Sequence, residues 1–180
     1  MMTQTHLLIA AAIFAHPQAN RRTLAALGGA LAPDLAIYIL FLFALVTGIP
    51  QAMLWQEVYW SEPWQTYNAI GNSVFLYLTL LLSALLMSAG QIKAQTARLW
   101  QIFALAALIH LAADFPLHHD DAHQHLWPLS QWRFFAPISY WDPAYYGRWV
   151  GSFEIALSLG LIFLLIRRFR GARRDKTNTL

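Results

Sequence analysis

Apolar positions along this chain collect into long blocks, without the alternation of a half-buried strand or the one-sided stripe of a surface helix. The four clearest blocks are Leu24 to Val46, Asn68 to Ala89, Ala97 to Asp114 and Trp149 to Ile166. A helix rises about 1.5 Å per residue and needs about 20 residues to cross the hydrocarbon of a bilayer, so each block is long enough to span. A fifth segment, Thr5 to Ala15, is apolar but short. It crosses with help from its flanks, enters part-way or lies at the interface, and part-way or full insertion is the preferred reading. The pattern predicts an all-α integral membrane bundle of four spanning helices plus a short N-terminal apolar helix. Residues 1–170 form one transmembrane domain in this reading, and 171–180 a disordered basic cytoplasmic tail.

Composition supports lipid as the solvent. Of 180 residues 58% are hydrophobic and only 12% charged, against roughly a quarter charged in an ordinary soluble domain. There are no cysteines, which excludes disulfides, thiolate metal ligands and a Cys nucleophile. A cleaved signal peptide carries positive charge before its apolar stretch. Here Arg21 and Arg22 follow the first segment, so it reads as a retained helix.

Charge then sets orientation. Arg21, Arg22, Lys93, Arg98, Arg167, Arg168, Arg170, Arg173, Arg174 and Lys176 all fall on one side of the predicted bundle, ten of the twelve basic residues. Short cytoplasmic loops collect Lys and Arg, so this side and the C-terminus are expected in the cytoplasm, as in a multi-pass protein of the cell inner membrane. The opposite loops, about 47 to 67 and 115 to 148, hold only Arg133 and Arg148 among basic residues and carry Glu57, Glu62, Asp120, Asp121 and Asp142. They also hold Trp55, Trp60, Trp64, Trp127, Trp132 and Trp141, rings suited to the headgroup level, so these loops are expected to rest on the membrane surface.

An ionisable residue in a spanning helix is costly unless paired or facing a cavity, which makes each one a functional hypothesis. Asp34 sits in the second segment, His110 and Asp114 on the fourth, and His6 opens the first. Counted from the basic markers, Asp34 and His110 lie about 18 Å above the inner edge, Asp114 about 24 Å and His6 roughly 22 Å. Four potential metal ligands from three segments share one level. His110 and Asp114 are spaced i, i+4 and so present both side chains on one helix face. Pro116 then ends the helix, and the chain runs His118-His119-Asp120-Asp121-Ala122-His123-Gln124-His125. Imidazole and carboxylate suit zinc or a similar divalent ion. The bland readings are that His110 with Asp114 is a structural hydrogen bond, that the His/Asp-rich loop is a solvated turn, and that Pro33 relieves a kink. His16 reads as a loop histidine and Glu154 as an interfacial residue near Arg148 or Trp149.

These residues resemble the membrane-bound metal-dependent hydrolase family of bacterial inner-membrane proteins, described as regulated by the SOS repressor. The resemblance rests on Thr5-His6-Leu7-Leu8, on Pro33-Asp34 after a run of small residues, and on His110-Leu111-Ala112-Ala113-Asp114 followed by Trp127-Pro128-Leu129, Gln131-Trp132-Arg133-Phe134 and Pro137. The chain departs from the family pattern at Ala36, where a second acid is usual, and at Asn68 to Ser73, where the family carries histidines. The cluster at His118 to His125 is a candidate source of the missing ligands. The ligand order is more weakly similar to that of zinc-dependent phospholipase C and nucleases. The resemblance implies a hydrolase in which a divalent metal, zinc by preference, is held by His6, Asp34, His110, Asp114 and one of His118 or His119, with Asp34, Asp114 and His118 as catalytic residues. Its substrate would be an ester or phosphoester of a lipid or envelope molecule, met at the outer face among membrane lipids.

The competing expectation is a non-enzymatic multi-pass protein that binds an ion or lipid or scaffolds a partner, its His/Asp cluster bridging helices. A small transporter is disfavoured because no repeat relates the two halves. His-Glu-x-x-His, Gly-x-Ser-x-Gly, phosphate-loop and dinucleotide motifs are absent. The basic tail next to a span reads as a headgroup anchor, with no nucleic-acid partner expected.

Overall fold

The computed structural model describes residues 1–90 and 93–177, with side chains through Ala172. All regular structure among the described residues is helical: α1 (Thr3–Phe14), α2 (Asn20–Leu31), α3 (Leu35–Thr47), α4 (Gln51–Met53), α5 (Glu62–Gly71), α6 (Val74–Ala89), α7 (Ala94–Asp114) and α8 (Gly147–Thr177). Four stretches are long and apolar enough to cross a membrane, Asn20–Thr47, Glu62–Ala89, Ala94–Asp114 and Gly147–Ala172. They coincide with the four expected blocks. α8 continues to Thr177 into the segment set apart as a tail, whose residues 178–180 lie outside those described.

Two of the four stretches are interrupted. Pro33 offers no N–H and its ring crowds the preceding turn, so the chain tightens into a 3₁₀ turn, Ala32–Asp34, between α2 and α3. The second break lies at Asn72–Ser73, inside a block read from sequence as one helix. There Ser73 accepts a hydrogen bond from Leu76 N–H (3.3 Å) and starts α6 afresh. The half before it, α5, begins at Glu62 with Pro63 in its first turn, six residues earlier than the apolar pattern indicated. The two breaks touch: Asn72 Nδ2 donates to the Pro33 carbonyl at 3.4 Å and to the Asn68 carbonyl at 3.0 Å. A backbone polar group away from water needs a protein partner, and this contact supplies one for the Pro33 carbonyl.

Small residues let the central helices approach. Ala10, Ala26, Ala30 and Ala106 form one buried cluster joining α1, α2 and α7, and a Cβ placed on Gly29 would lie 2.1 Å from the Phe103 carbonyl oxygen. α2 and α7 therefore cross at backbone contact. α1 has 12 residues and is about 18 Å long, short of the roughly 30 Å hydrocarbon thickness. It runs parallel to α8, with Thr5 Oγ1 3.3 Å from Ser158 Oγ. Arg168 donates to the carbonyls of Ala12 (2.9 Å) and Ala15 (3.2 Å), closing the negative end of α1 with a cation. Glu154 is not the interfacial residue expected. It is 3% exposed and accepts the Met2 N–H at 3.0 Å, because α1 packs over this face of α8. The opposite face of α8, with Phe153, Ile155, Leu159 and Phe163, is exposed and apolar.

Between α7 and α8 the chain folds back over one end of the bundle. Arg133 clamps this segment, donating to the Ala122 carbonyl (2.6 Å) and to Gln65 Oε1 on α5 (2.8 Å). Ser73 Oγ donates to the Trp127 carbonyl (2.6 Å), and Phe115 stacks on Phe134 with ring centroids 4.7 Å apart.

Candidate metal centre

Asp114, the last residue of α7, is the hub. It is 1% exposed. Its Oδ1 lies 2.9 Å from His6 Nε2, and its Oδ2 lies 3.1 Å from His110 Nε2 and 3.4 Å from His118 Nε2. His110 Nε2 is also 3.5 Å from Asp34 Oδ1. The Met1 amino nitrogen is 2.5 Å from Asp114 Oδ1, and Thr3 Oγ1 donates to Asp34 Oδ2 at 2.5 Å. The imidazoles of His6 and His110 stack with centroids 3.6 Å apart and planes 12° from parallel. Two groups are spaced to hold an ion, His6 with His110 and Asp114, and Asp114 with His118 and His123, sharing Asp114.

Each position has a local cause. The i, i+4 spacing puts His110 and Asp114 on one face of α7, and the Pro33 turn brings Asp34 against that face. α1 begins beside the end of α7 and delivers His6 from its first turn. His118 lies one turn beyond Pro116, held by its own backbone: Ala136 N–H donates to the His118 carbonyl and Tyr140 N–H to the Leu117 carbonyl, both at 2.9 Å.

Hydrogen bonding settles which imidazole nitrogen carries a proton. His110 Nδ1 lies 2.7 Å from the Ala30 carbonyl, which can only accept, so Nδ1 bears the hydrogen. Nε2 then turns a lone pair on two carboxylates and has no hydrogen-bond partner. A proton or a metal ion must sit between them. His118 sets both nitrogens against carboxylates, Nδ1 3.1 Å from Asp121 Oδ2 and Nε2 3.4 Å from Asp114 Oδ2. An imidazole tied by one nitrogen to a carbonyl or carboxylate and open at the other is the usual support of a metal ligand. Spacing agrees: bonds of about 2.0–2.2 Å in a tetrahedral site put neighbouring ligand atoms about 3.3–3.6 Å apart, close to the 3.1, 3.4 and 3.5 Å seen around His110, Asp114, His118 and Asp34.

His119 stands apart from the cluster. Its Nδ1 donates to the Ala136 carbonyl (2.6 Å), its Nε2 is 3.2 Å from Asp120, and its ring stacks on Tyr145 at 3.6 Å. His16 accepts from Gln18 N–H in its own loop. His125 donates to the Asn72 carbonyl at 3.1 Å, fastening the segment to the second helix break. Within the His118 to His125 cluster named from sequence, the residues not singled out are Asp121 and His123. Their signal was present in the His118-x-x-Asp121 spacing, which places both side chains on one side of a turn.

A cavity of about 350 Å³ opens from the cluster, with Asp34, Asp114, His118, Asp121 and His123 at its polar end and Tyr38, Phe41, Trp55, Tyr59 and Tyr140 among its walls. Tyr38 and Phe41 belong to the outward face of α3, so apolar wall and polar floor suit an amphiphile. Comparison with known families, curated proteins and solved structures finds no match for the chain.

Electrostatics at the loop end predicts a pH dependence. Burial disfavours the His118 imidazolium, but hydrogen bonds to Asp114 and Asp121 outweigh it and push the group up to about 9. An arriving ion has to displace that proton. The pKa is raised above its ordinary 6.5, so the stabilisation from the charged pair is complete below about 6.5 and fades as pH rises through about 9. Zinc affinity, measured by competition with a chelator, is expected to tighten about tenfold per pH unit from pH 6.5 to 8.5, while the melting temperature of the ion-free protein falls. A flat affinity profile counts against His118 as a ligand.

Proposed function

We propose that this chain is a membrane-bound metal-dependent hydrolase of the bacterial inner membrane, acting on an ester or phosphoester of a lipid or envelope molecule at the outer face. The observation that carries the reading is His110, whose proton is fixed on Nδ1 by the Ala30 carbonyl and whose Nε2 lone pair faces Asp114 and Asp34. Zinc fits the donor set of imidazole nitrogens and carboxylate oxygens. His6, His110, Asp114 and Asp34 would hold it, with His118 approaching from the loop. A divalent ion there lowers the pKa of water toward neutrality and polarises the scissile group. Asp34 and Asp121 border the cavity and are placed to take a proton, and the aromatic walls keep bulk water from the reacting group. The family resemblance of His6, Pro33-Asp34 and His110-x-x-x-Asp114 points the same way.

Elemental analysis of the full chain purified in mild detergent tests this. At least one equivalent of zinc or a similar ion per chain is expected, lost in His110→Ala, together with metal-dependent release of product from a phosphoester or acyl-ester lipid. A wild-type chain without metal, and with stability unaffected by chelator, supports the non-enzymatic reading, in which the cluster only bridges helices.

A further inference from the structure

His123 sits beside the proposed centre and is counted among residues near enough to share an ion with Asp114 and His118, but its neighbours give it a different task. Asn72 Nδ2 shares its two hydrogens among three nearby oxygens, the carbonyls of Pro33 at 3.4 Å and Asn68 at 3.0 Å and Asn68 Oδ1 at 3.0 Å. Turning the Asn72 amide over would set its oxygen against two backbone carbonyls, which can only accept, so its orientation follows from the backbone. Asn68 is determined in turn: Oδ1 accepts from Asn72, which leaves Nδ2 to donate to His123 Nδ1 at 3.1 Å. The Nδ1 lone pair is thereby used, and the neutral ring carries its hydrogen on Nε2. Neither nitrogen has a lone pair to give a metal. His110 differs, its Nδ1 donating to the Ala30 carbonyl while its Nε2 faces Asp114 and Asp34, and His118 sets both ring nitrogens against carboxylates.

His123 lines the cavity, its ring 4.4 Å from that of His118. Asp34, Asp114 and Asp121, at the same end, can only accept when ionised. No Lys or Arg lines the cavity among the described residues, and the Met1 ammonium that does line it is already engaged by Asp114 Oδ1 at 2.5 Å. We propose that His123 is the hydrogen-bond donor for a phosphoryl oxygen bound in this cavity, positioned by the Asn68–Asn72 pair, and is not a metal ligand. The proposal rests on the metal reading above and gives the site a substrate class: an oxyanion of a phosphoester, its charge balanced by the metal and its orientation set by a neutral N–H. A donor that stays uncharged avoids bringing a further positive charge next to the ion and adds direction, as oxyanion-binding groups do.

The lock is read without catalysis. In the full chain with ¹⁵N-labelled histidine, in neutral-detergent micelles, the His123 resonances are expected to show the hydrogen on Nε2. A hydrogen on Nδ1 overturns the proposal. With zinc and inorganic phosphate as probes, His123→Leu is expected to keep the zinc stoichiometry of wild type and to bind phosphate at least tenfold more weakly. His123→Gln, whose amide can donate, recovers part of that loss, and His118→Ala loses zinc. Loss of zinc in a folded His123→Leu, or unchanged phosphate affinity, overturns the proposal. Asn68→Asp guards against a misfolded His123 variant: its carboxylate draws the hydrogen to Nδ1, so phosphate binding should fall while zinc remains, and wild-type phosphate affinity in Asn68→Asp is a refutation. Phosphatidic acid in otherwise zwitterionic nanodiscs separates the sources. His123-dependent binding of the lipid assigns a lipid headgroup, His123-dependent binding of free phosphate alone assigns a soluble phosphoester, and binding of neither refutes the inference. If wild type holds no zinc, the metal reading falls, and the tautomer of His123 still tests the lock by itself.

Discussion

Asp114→Ala is expected to abolish metal binding and to cost the bundle stability at the same time. The carboxylate faces His6, His110 and His118 within 3.4 Å, and among the described residues no other acid reaches all three. Without it, three imidazoles from α1, α7 and the loop converge on an unfilled space, and the stacked His6–His110 pair loses its anion. Breaking a buried charge pair by removing one partner typically costs about 3–5 kcal/mol. The measurable outcome is zinc content near zero together with a large fall in melting temperature, followed by circular dichroism in detergent. Asp114→Asn separates the two effects, because the amide keeps the shape and some hydrogen bonding while losing the negative charge. A variant at Asp114 that retains stoichiometric metal would remove the hub from the proposed centre.

Gly29→Leu has the other large effect, on assembly of the fold. The added Cβ meets the Phe103 carbonyl oxygen at 2.1 Å, with the Phe103 carbonyl carbon and Cα within 3 Å. Backbone cannot swing aside as a side chain can, so α2 and α7 must separate, and with them Ala26, Ala30 and Ala106. Overpacking costs about 1–3 kcal/mol in a soluble core that can adjust. A forced separation at backbone contact should lie at or above that range and leave little folded protein. Gly151→Leu is the control, since a Cβ there has no neighbour within 4 Å. Equal yields and melting temperatures for the two variants would contradict the crossing described.

Much of the architecture could be read from the chain because apolar runs long enough to cross a bilayer are also long enough to declare helices. Long apolar runs such as Ala97 to Asp114 correspond to single helices, and the common depth of His6, Asp34, His110 and Asp114 corresponds to residues within reach of one another. The break at Asn72 escaped notice because hydropathy averages over Asn72-Ser73 within an apolar run, while the feature that ends α5 is a long-range contact with Pro33. The same holds in the histidine-rich loop. Four histidines in eight residues announce ligands without saying which turn inward. That choice belongs to backbone pairing of His118 with Ala136 and of Leu117 with Tyr140, more than 15 residues away in sequence. Glu154 was misplaced for a related reason: burial of an acid near a helix end depends on α1 covering it, which local composition does not encode.

The Pro33 turn has a consequence for inheritance. Just ahead of that turn the buried Ala30 carbonyl accepts a hydrogen bond from His110. The same imidazole that would grip an ion from one nitrogen therefore ties α7 to the backbone of α2 with the other. A descendant that had lost its ion would still be under pressure to keep that histidine. Retention of His110 across such a lineage is consequently poor testimony to activity, and drift at Asp34 or Asp121, which make no such tie, is the better clock of when the chemistry was abandoned.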